Sequence, residues 1–491
     1  MRKSNLTGAS WDSAFLTFVK ILTTLTSIIT TKILSVGLNL SDYGTYSQVG
    51  LVISIGTSVL MCGLGDALNY FYNNSQEQIE SKKKIVNTIY FIEIVVGIIF
   101  VAVIAFGRGL IASYFSNNML NKLLILVSFK PVLENIMYFY QILFISAGKA
   151  KVIAARNLVI SLVKISVIYL SVHFFGSIEM IFIAYIILDF LQLIFFKALF
   201  SKVCFVINPL KLQYKSMKAI LVYSLPMGVY AFTNYLLRDI DKLIIGRMAD
   251  AETLAIYANC SRVLPFDLIT TSYATVLIPL IMRYVSSNNK KDTIVLYSNY
   301  MRIGYYSVWT FGAAFLATSQ QALTFLYSDK YLPGIEVFII YIIDSMVRFA
   351  SIHLILTASG KSRILMWYSL ASLAANTVLN ILLYKVVGVA GPAFATLIIT
   401  LVYTVAVLIK TNNTIQTRLS DIFDWKDVVR TLSFLTVTVF TVGYLNRIAI
   451  TFGLNKYVSM IIAMSIVLCA GIGWNYKQIK KSIENLNSLK L

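Results

Sequence analysis

Charged side chains inside apolar segments are where this sequence concentrates its chemistry. Nine basic residues interrupt otherwise apolar stretches: Lys20, Lys32, Lys130, Lys164, Lys197, Arg238, Lys242, Arg262 and Arg348. Lys32 and Lys197 lie near the ends of their stretches, where a long side chain reaches polar surroundings. Each of the others would cost about 3 kcal/mol facing lipid near a helix centre, so it must face an acid, another charge or water. Lys130 and Glu134 are four apart, as are Asp344 and Arg348, so each pair shares one helix face. Such a pair either locks helices together or forms a coupling or substrate site. Lys20, Arg238, Lys242 and Arg262 form a second group, accompanied by Asp66, Asp239, Asp241 and Asp267. Lining one cavity, those four cations would attract an anion far more strongly than in bulk water, and the planar guanidinium fork suits phosphate. Local neutralisation, for example of Arg238 by Asp241, is the competing account. Glu93 and Asp189 stand alone as carboxylates in apolar helices, either proton relays or hydrogen-bonded structural acids. Lys164 has Glu134 or Asp189 as its expected partner.

Two motifs imitate other chemistries and fail on inspection. Ser359-Gly360-Lys361-Ser362 resembles the end of a phosphate loop, but Ile355 stands where that loop needs its first glycine. Asp239-Ile240-Asp241 resembles a metal-binding acidic pair, yet residues two apart on a helix do not share a face, and Arg238 and Lys242 flank them. The four cysteines, Cys62, Cys204, Cys260 and Cys469, lie in or beside apolar segments, and only His173 and His353 are present. No disulfide framework, paired zinc motif or His-rich site is expected. No catalytic residues, metal or cofactor are assigned.

The elements that carry these charges are membrane helices. Of 491 residues 58% are hydrophobic and only 13% charged, with a mean hydropathy of +0.76, whereas a soluble domain carries about 25% charge. Apolar stretches of roughly 20 residues recur throughout, each long enough to cross about 30 Å of hydrocarbon. Fourteen spans are expected, at about 14–36, 46–67, 85–106, 122–147, 152–174, 178–200, 220–246, 253–282, 298–319, 334–358, 364–385, 389–410, 431–447 and 457–475. The eighth holds Pro265 and Pro279 and should be kinked or partly outside the bilayer. Met1 to Asp12 shows no cleavable signal pattern, so the first span should be retained. In alternate loops 26 Lys and Arg fall on one side and seven on the other, which puts both termini in the cytoplasm. The net charge of +20 is spread over short loops, which fits a membrane rather than nucleic acid.

The chain also resembles itself. At a shift of 212, Gly148-Lys149-Ala150-Lys151-Val152 aligns with Gly360-Lys361-Ser362-Arg363-Ile364, and Gly176 falls on Gly388. At nearly the same shift, Asp42-Tyr43-Gly44-Thr45-Tyr46-Ser47 aligns with Thr253-Leu254-Ala255-Ile256-Tyr257-Ala258. Residues 1–218 and 219–411 therefore read as two six-helix lobes in the same orientation, around a central cavity. Residues 412–491 add two further spans and a basic cytoplasmic tail.

With these residues in hand, the chain resembles the polysaccharide flippases of the multidrug/oligosaccharidyl-lipid/polysaccharide exporter superfamily, the O-antigen (Wzx-type) flippases in particular. The resemblance rests on Ser224-Leu225-Pro226, Asp239-Ile240-Asp241-Lys242-Leu243-Ile244-Ile245-Gly246, Ile256-Tyr257-Ala258, Gly63-Leu64-Gly65-Asp66-Ala67-Leu68 and the Ala147-Gly148-Lys149 turn. It implies an all-α polytopic protein with two six-helix lobes in a V and two extra C-terminal helices. The implied activity is alternating-access transfer of undecaprenyl-pyrophosphate-linked oligosaccharide units from the inner to the outer leaflet of the bacterial cytoplasmic membrane. Lys20, Arg238, Lys242 and Arg262 would then hold the pyrophosphate or acidic sugars. Lys130, Glu134, Asp344, Arg348, Lys164, Asp189 and Asp66 would serve H+ or Na+ coupling or lobe pairing. Membrane lipids and polysaccharide polymerase machinery are the implied partners. A lipid II or teichoic-type precursor flippase is a close alternative. A membrane polymerase or ligase of lipid-linked sugars is disfavoured, because the outer loops are about 15 residues or shorter, with no histidine and no paired acids.

Overall fold

The computed structural model describes residues 3–74, 79–262, 264, 266, 280–285, 287 and 289–488. The described residues form helices and connecting turns, with no strand among them. Ten helical stretches among them are long and apolar enough to cross a membrane. The protein is an all-α, multi-pass membrane protein, as its composition requires. The chain divides into two compact units, Met1–Ala255 and Ile256–Leu491.

The first unit holds α1 (Lys3–Gly37), α2 (Leu40–Met61), α3 (Leu64–Asn74), α4 (Ile79–Tyr114), α5 (Leu120–Val127), α6 (Lys130–Ser146), α7 (Ala150–Leu170), α8 (Ile178–Val203) and α9 (Tyr214–Met248). Helix α10 (Ala251–Cys260) straddles the division. The second unit continues with α11 (Lys290–Ala317), α12 (Ser319–Leu326), α13 (Ile335–Val347), α14 (Leu354–Ala358), α15 (Ser362–Val387), α16 (Gly391–Ile415), α17 (Leu419–Ile422), α18 (Trp425–Thr451) and α19 (Lys456–Ser488). In the first unit Phe139, Tyr140, Phe144, Phe196 and Phe200 pack within the core of α3, α4, α6 and α8. In the second, α18 and α19 lie on α11 through Ala313, Ala314, Ala317, Leu435, Val442, Ala463 and Val467. That seam ends in a polar lock: the Tyr305 hydroxyl donates to Asp427 at 2.7 Å, Tyr306 donates to the same oxygen, and Arg430 lies 3.5 Å from the other.

Local geometry repeats where the sequence repeats. Asn39 caps α2 by accepting from the Asp42 backbone N–H at 2.7 Å, and Asp250 caps α10 by accepting from Thr253 at 2.8 Å. The same contact with Thr253 holds the Asp250 carboxyl below its usual range. At the aligned turns, Gly148 has φ 72° and Gly360 φ 71°. The following lysines donate backward alike, Lys149 to Phe144 O at 2.7 Å and Lys361 to Leu356 O at 2.9 Å. Gly176 and Gly388 also have positive φ, 58° and 77°. A Cβ on Gly148 or Gly360 would meet nothing within 4 Å, so only backbone strain opposes alanine there. Gly148→Ala and Gly360→Ala should each cost about 1 kcal/mol. Thermal unfolding of the purified protein checks this, and a clearly larger loss at one site would mean the two turns are not equivalent.

Three expected spans are interrupted rather than continuous. The second breaks at Cys62 and Gly63, with φ 38° and 68°, and resumes as α3. The fourth breaks at Ser128–Phe129 before Pro131, whose missing N–H suits the first turn of α6. The tenth stops at Val347 and resumes at Leu354. Aromatic side chains of α11 supply what the broken backbone of the tenth lacks. Tyr297 donates to Ile352 O at 2.8 Å, the Tyr300 hydroxyl accepts from Ser351 N–H at 2.7 Å, and Trp309 donates to Met346 O at 2.9 Å. Irregular backbone at membrane depth persists only where protein satisfies it in this way. In the expected eighth span, α10 ends at Cys260, and Pro265, Asp267 and Pro279 lie outside the described residues.

Candidate functional site

Lys130 opens α6, just past the break in the fourth span, and is 6% exposed. Its ammonium lies 2.9 Å from Glu134 Oε1 and 2.6 Å from Asp189 Oδ2 on α8. Thr57 on α2 donates to the other Glu134 oxygen at 3.1 Å, and Gln192 donates to the other Asp189 oxygen at 3.3 Å. Arg156 on α7 holds the Gln192 carbonyl oxygen with two donors, at 2.7 and 3.0 Å. Above the Tyr185 ring sit two ammonium groups, Lys130 at 5.2 Å and Lys164 at 5.6 Å from its centroid. Four helices thus converge on one ammonium shared by two carboxylates. Asp189 is therefore not a lone acid. The cation in contact with both carboxylates is Lys130, while Lys164 stands over the ring beside them.

A second charged cluster lies on α9. Lys242 Nζ is 3.1 Å from Asp239 Oδ1, 3.2 Å from the Arg238 carbonyl oxygen and 3.6 Å from Asp241 Oδ1. Two of these, to Asp239 and the carbonyl, are hydrogen bonds, while Asp241 is an ion-pair neighbour beyond hydrogen-bond distance. Arg238 pairs with Asp239 at 3.2 Å rather than with Asp241, and its guanidinium lies 5.0 Å from the Tyr235 ring centroid. Its side chain is 54% exposed, which leaves most of its five donors open to a ligand. Lys20 on α1 and Arg262, two residues past the end of α10, are both exposed. Asp66 is exposed in the first turn of α3. In the second unit, Arg348 lies 2.7 Å from Asp344, which is 1% exposed, at the break that ends α13.

A sequence profile described as "Polysaccharide biosynthesis protein" matches residues 33–336, a stretch that carries both clusters of α6–α9. The chain belongs to the polysaccharide biosynthesis protein family. Its fold is that of known membrane transporters. It is similar to "Lipid II flippase MurJ, inward closed conformation", with TM-score 0.71 and 13% identity over 94% of this chain and 99% of that one. It is similar to a multidrug resistance MATE family transporter of the MOP superfamily in its inward-facing conformation, with TM-score 0.68 and 13% identity over 80% of this chain and 94% of that one. A MOP superfamily transporter from Pyrococcus furiosus, described by the reverse polarity of its binding pocket, matches with TM-score 0.59 and 13% identity over 82% of this chain and 94% of that one. No curated protein matches in sequence.

For this member of the polysaccharide biosynthesis protein family, several site residues escape a reading of the sequence. Arg156, near the start of the fifth expected span, is not among the charges singled out there, yet it reaches the buried Gln192. Gln192 stands three residues after Asp189, a spacing that shares a helix face and was a usable signal. Thr57 and Tyr185 carried none, because a hydroxyl or a ring in an apolar helix looks like packing.

Proposed function

We propose that the protein is a flippase that moves undecaprenyl-pyrophosphate-linked oligosaccharide units from the inner to the outer leaflet of the bacterial cytoplasmic membrane. Membership of a polysaccharide biosynthesis family combined with a transporter fold supports a lipid-linked sugar as cargo. The observation that carries the reading to a residue is the half-exposed guanidinium of Arg238, with donors to spare for a pyrophosphate oxygen. Lys242 donates to Asp239 and to a carbonyl, with Asp241 at 3.6 Å, so its assigned role is to hold the α9 charges in place. Lys20 and Arg262 are further exposed cations assigned to anion binding. The cluster of Lys130, Glu134 and Asp189 is assigned to coupling with a proton or sodium gradient, since its two carboxylates around one ammonium present the oxygens for which a proton or sodium ion competes. Asp344, Arg348, Lys164 and Asp66 remain secondary candidates for that coupling. The basic loops support both termini in the cytoplasm.

The test is transfer in liposomes. A labelled undecaprenyl-pyrophosphate oligosaccharide is placed in the inner leaflet, and its arrival outside is followed under an imposed pH, sodium or voltage gradient. Gradient-dependent crossing that falls at least tenfold in Arg238→Ala, but not in Lys385→Ala, is the expected result. Absence of crossing across a panel of lipid-linked sugars, or lengthening of the sugar chains instead, overturns it.

A further inference from the structure

The second unit contains a cleft of about 520 Å³ between α11, α12, α13 and α18. Its walls are sorted by chemistry along its length. Leu316, Ile339, Met346, Leu435 and Val439 line an apolar shaft. Gly443 and Ala317 face each other across the helices and leave the shaft its width, with only 3.3 Å between a Cβ built on Gly443 and the Ala317 carbonyl oxygen. At one end the lining turns polar, with Gln320, Gln321, Asn446 and Arg447. Asn446 is buried and fixed, donating to Gln321 at 3.2 Å and accepting from Ser459 at 2.5 Å. Arg447 is exposed, and no hydrogen bond or ion pair engages it among the described residues. Leu432, which lines the far end, and Arg447 are fifteen residues apart on α18, about 22 Å along a helix.

An apolar shaft closed by one free guanidinium is complementary to an amphiphile with a single anionic head. A basic pocket among membrane helices takes a lipid phosphate by this means. The length favours a single tail, because the lining runs about 22 Å from Leu432 to Arg447, close to the length of one extended acyl chain. That suits one acyl chain, whereas a chain of eleven isoprenes is much longer than the cleft.

We propose that this cleft binds an anionic phospholipid, one acyl chain in the shaft and its phosphate on Arg447, with Gln320 as a second donor. The Lys130 and Arg238 clusters contribute no residue to it. The binding itself does not rest on the orientation given by the basic loops.

The experiment is native mass spectrometry of the full chain released from vesicles of phosphatidylcholine and phosphatidylglycerol. Wild type is expected to retain phosphatidylglycerol over phosphatidylcholine. Arg447→Ala should lower that retention about tenfold, the loss of one charge-assisted contact. Val439→Trp, which fills the shaft, should remove both lipids, and Lys385→Ala should change neither. Equal retention in Arg447→Ala and wild type overturns the proposal. So does displacement of phosphatidylglycerol by added undecaprenyl phosphate in wild type, which would make the cleft a polyprenyl site. No transport step enters the readout, so a protein that moves no sugar still passes or fails on its own terms.

Discussion

Lys130→Met is expected to destabilise the protein by about 3–5 kcal/mol, because it leaves two carboxylates, one of them 8% exposed, without their shared cation. Thermal unfolding in detergent should show this as a large drop in Tm. The triple variant Lys130→Met, Glu134→Gln, Asp189→Asn removes the charges together and should recover most of the stability, since a buried ion cluster replaced by neutral groups is often nearly neutral in energy. The two readings of the cluster diverge at this point. If it couples an ion gradient, the triple variant is stable but loses gradient-dependent transfer. If it only ties α2, α6, α7 and α8 together, transfer returns with stability. Wild-type Tm in Lys130→Met itself would show that the ammonium holds neither acid.

Gly63→Ala should cost about 2–4 kcal/mol. Gly63 sits at φ 68°, where an L side chain is strained, and its Cβ would fall inside the van der Waals envelope of the Ser224 carbonyl oxygen on α9. The neighbour cannot give way easily, because it is backbone. Gly228 on α9 is its counterpart, with a Cβ that would press on the Cys62 backbone. Tyr70 and Tyr223 stack nearby with ring centroids 4.7 Å apart, extending the same seam between α3 and α9. Gly50→Ala on α2 is the control: its Cβ meets nothing within 4 Å, and alanine there should be neutral or stabilising by up to about 1 kcal/mol. Equal unfolding temperatures for Gly63→Ala and Gly50→Ala would mean that α2 and α9 do not cross as tightly as their backbones indicate.

Several features were legible because their causes are local or compositional. Too few charges for a wetted surface, with apolar runs of bilayer length, already required a multi-pass helical protein. The turn after Ala147 and its copy after Ser359 were marked by glycines that the backbone needs at φ near 70°. The i, i+4 pairs Lys130–Glu134 and Asp344–Arg348 formed as ion pairs because a helix face brings them together. Local rules failed where the partner comes from elsewhere in the chain. Asp189 reaches Lys130 from 59 residues away, and Arg156 reaches Gln192 from 36. The break in the tenth span carries no proline or glycine of its own between Arg348 and His353. It is held open by hydrogen bonds from Tyr297, Tyr300 and Trp309 on another helix. Likewise the close crossing of α2 and α9 depends on which two glycines face each other. Composition and period state what each segment must bury and in which medium. Which cation neutralises which acid, and where a helix is allowed to break, is decided only when separate helices supply each other's missing charges and hydrogen bonds, because hydrocarbon offers none.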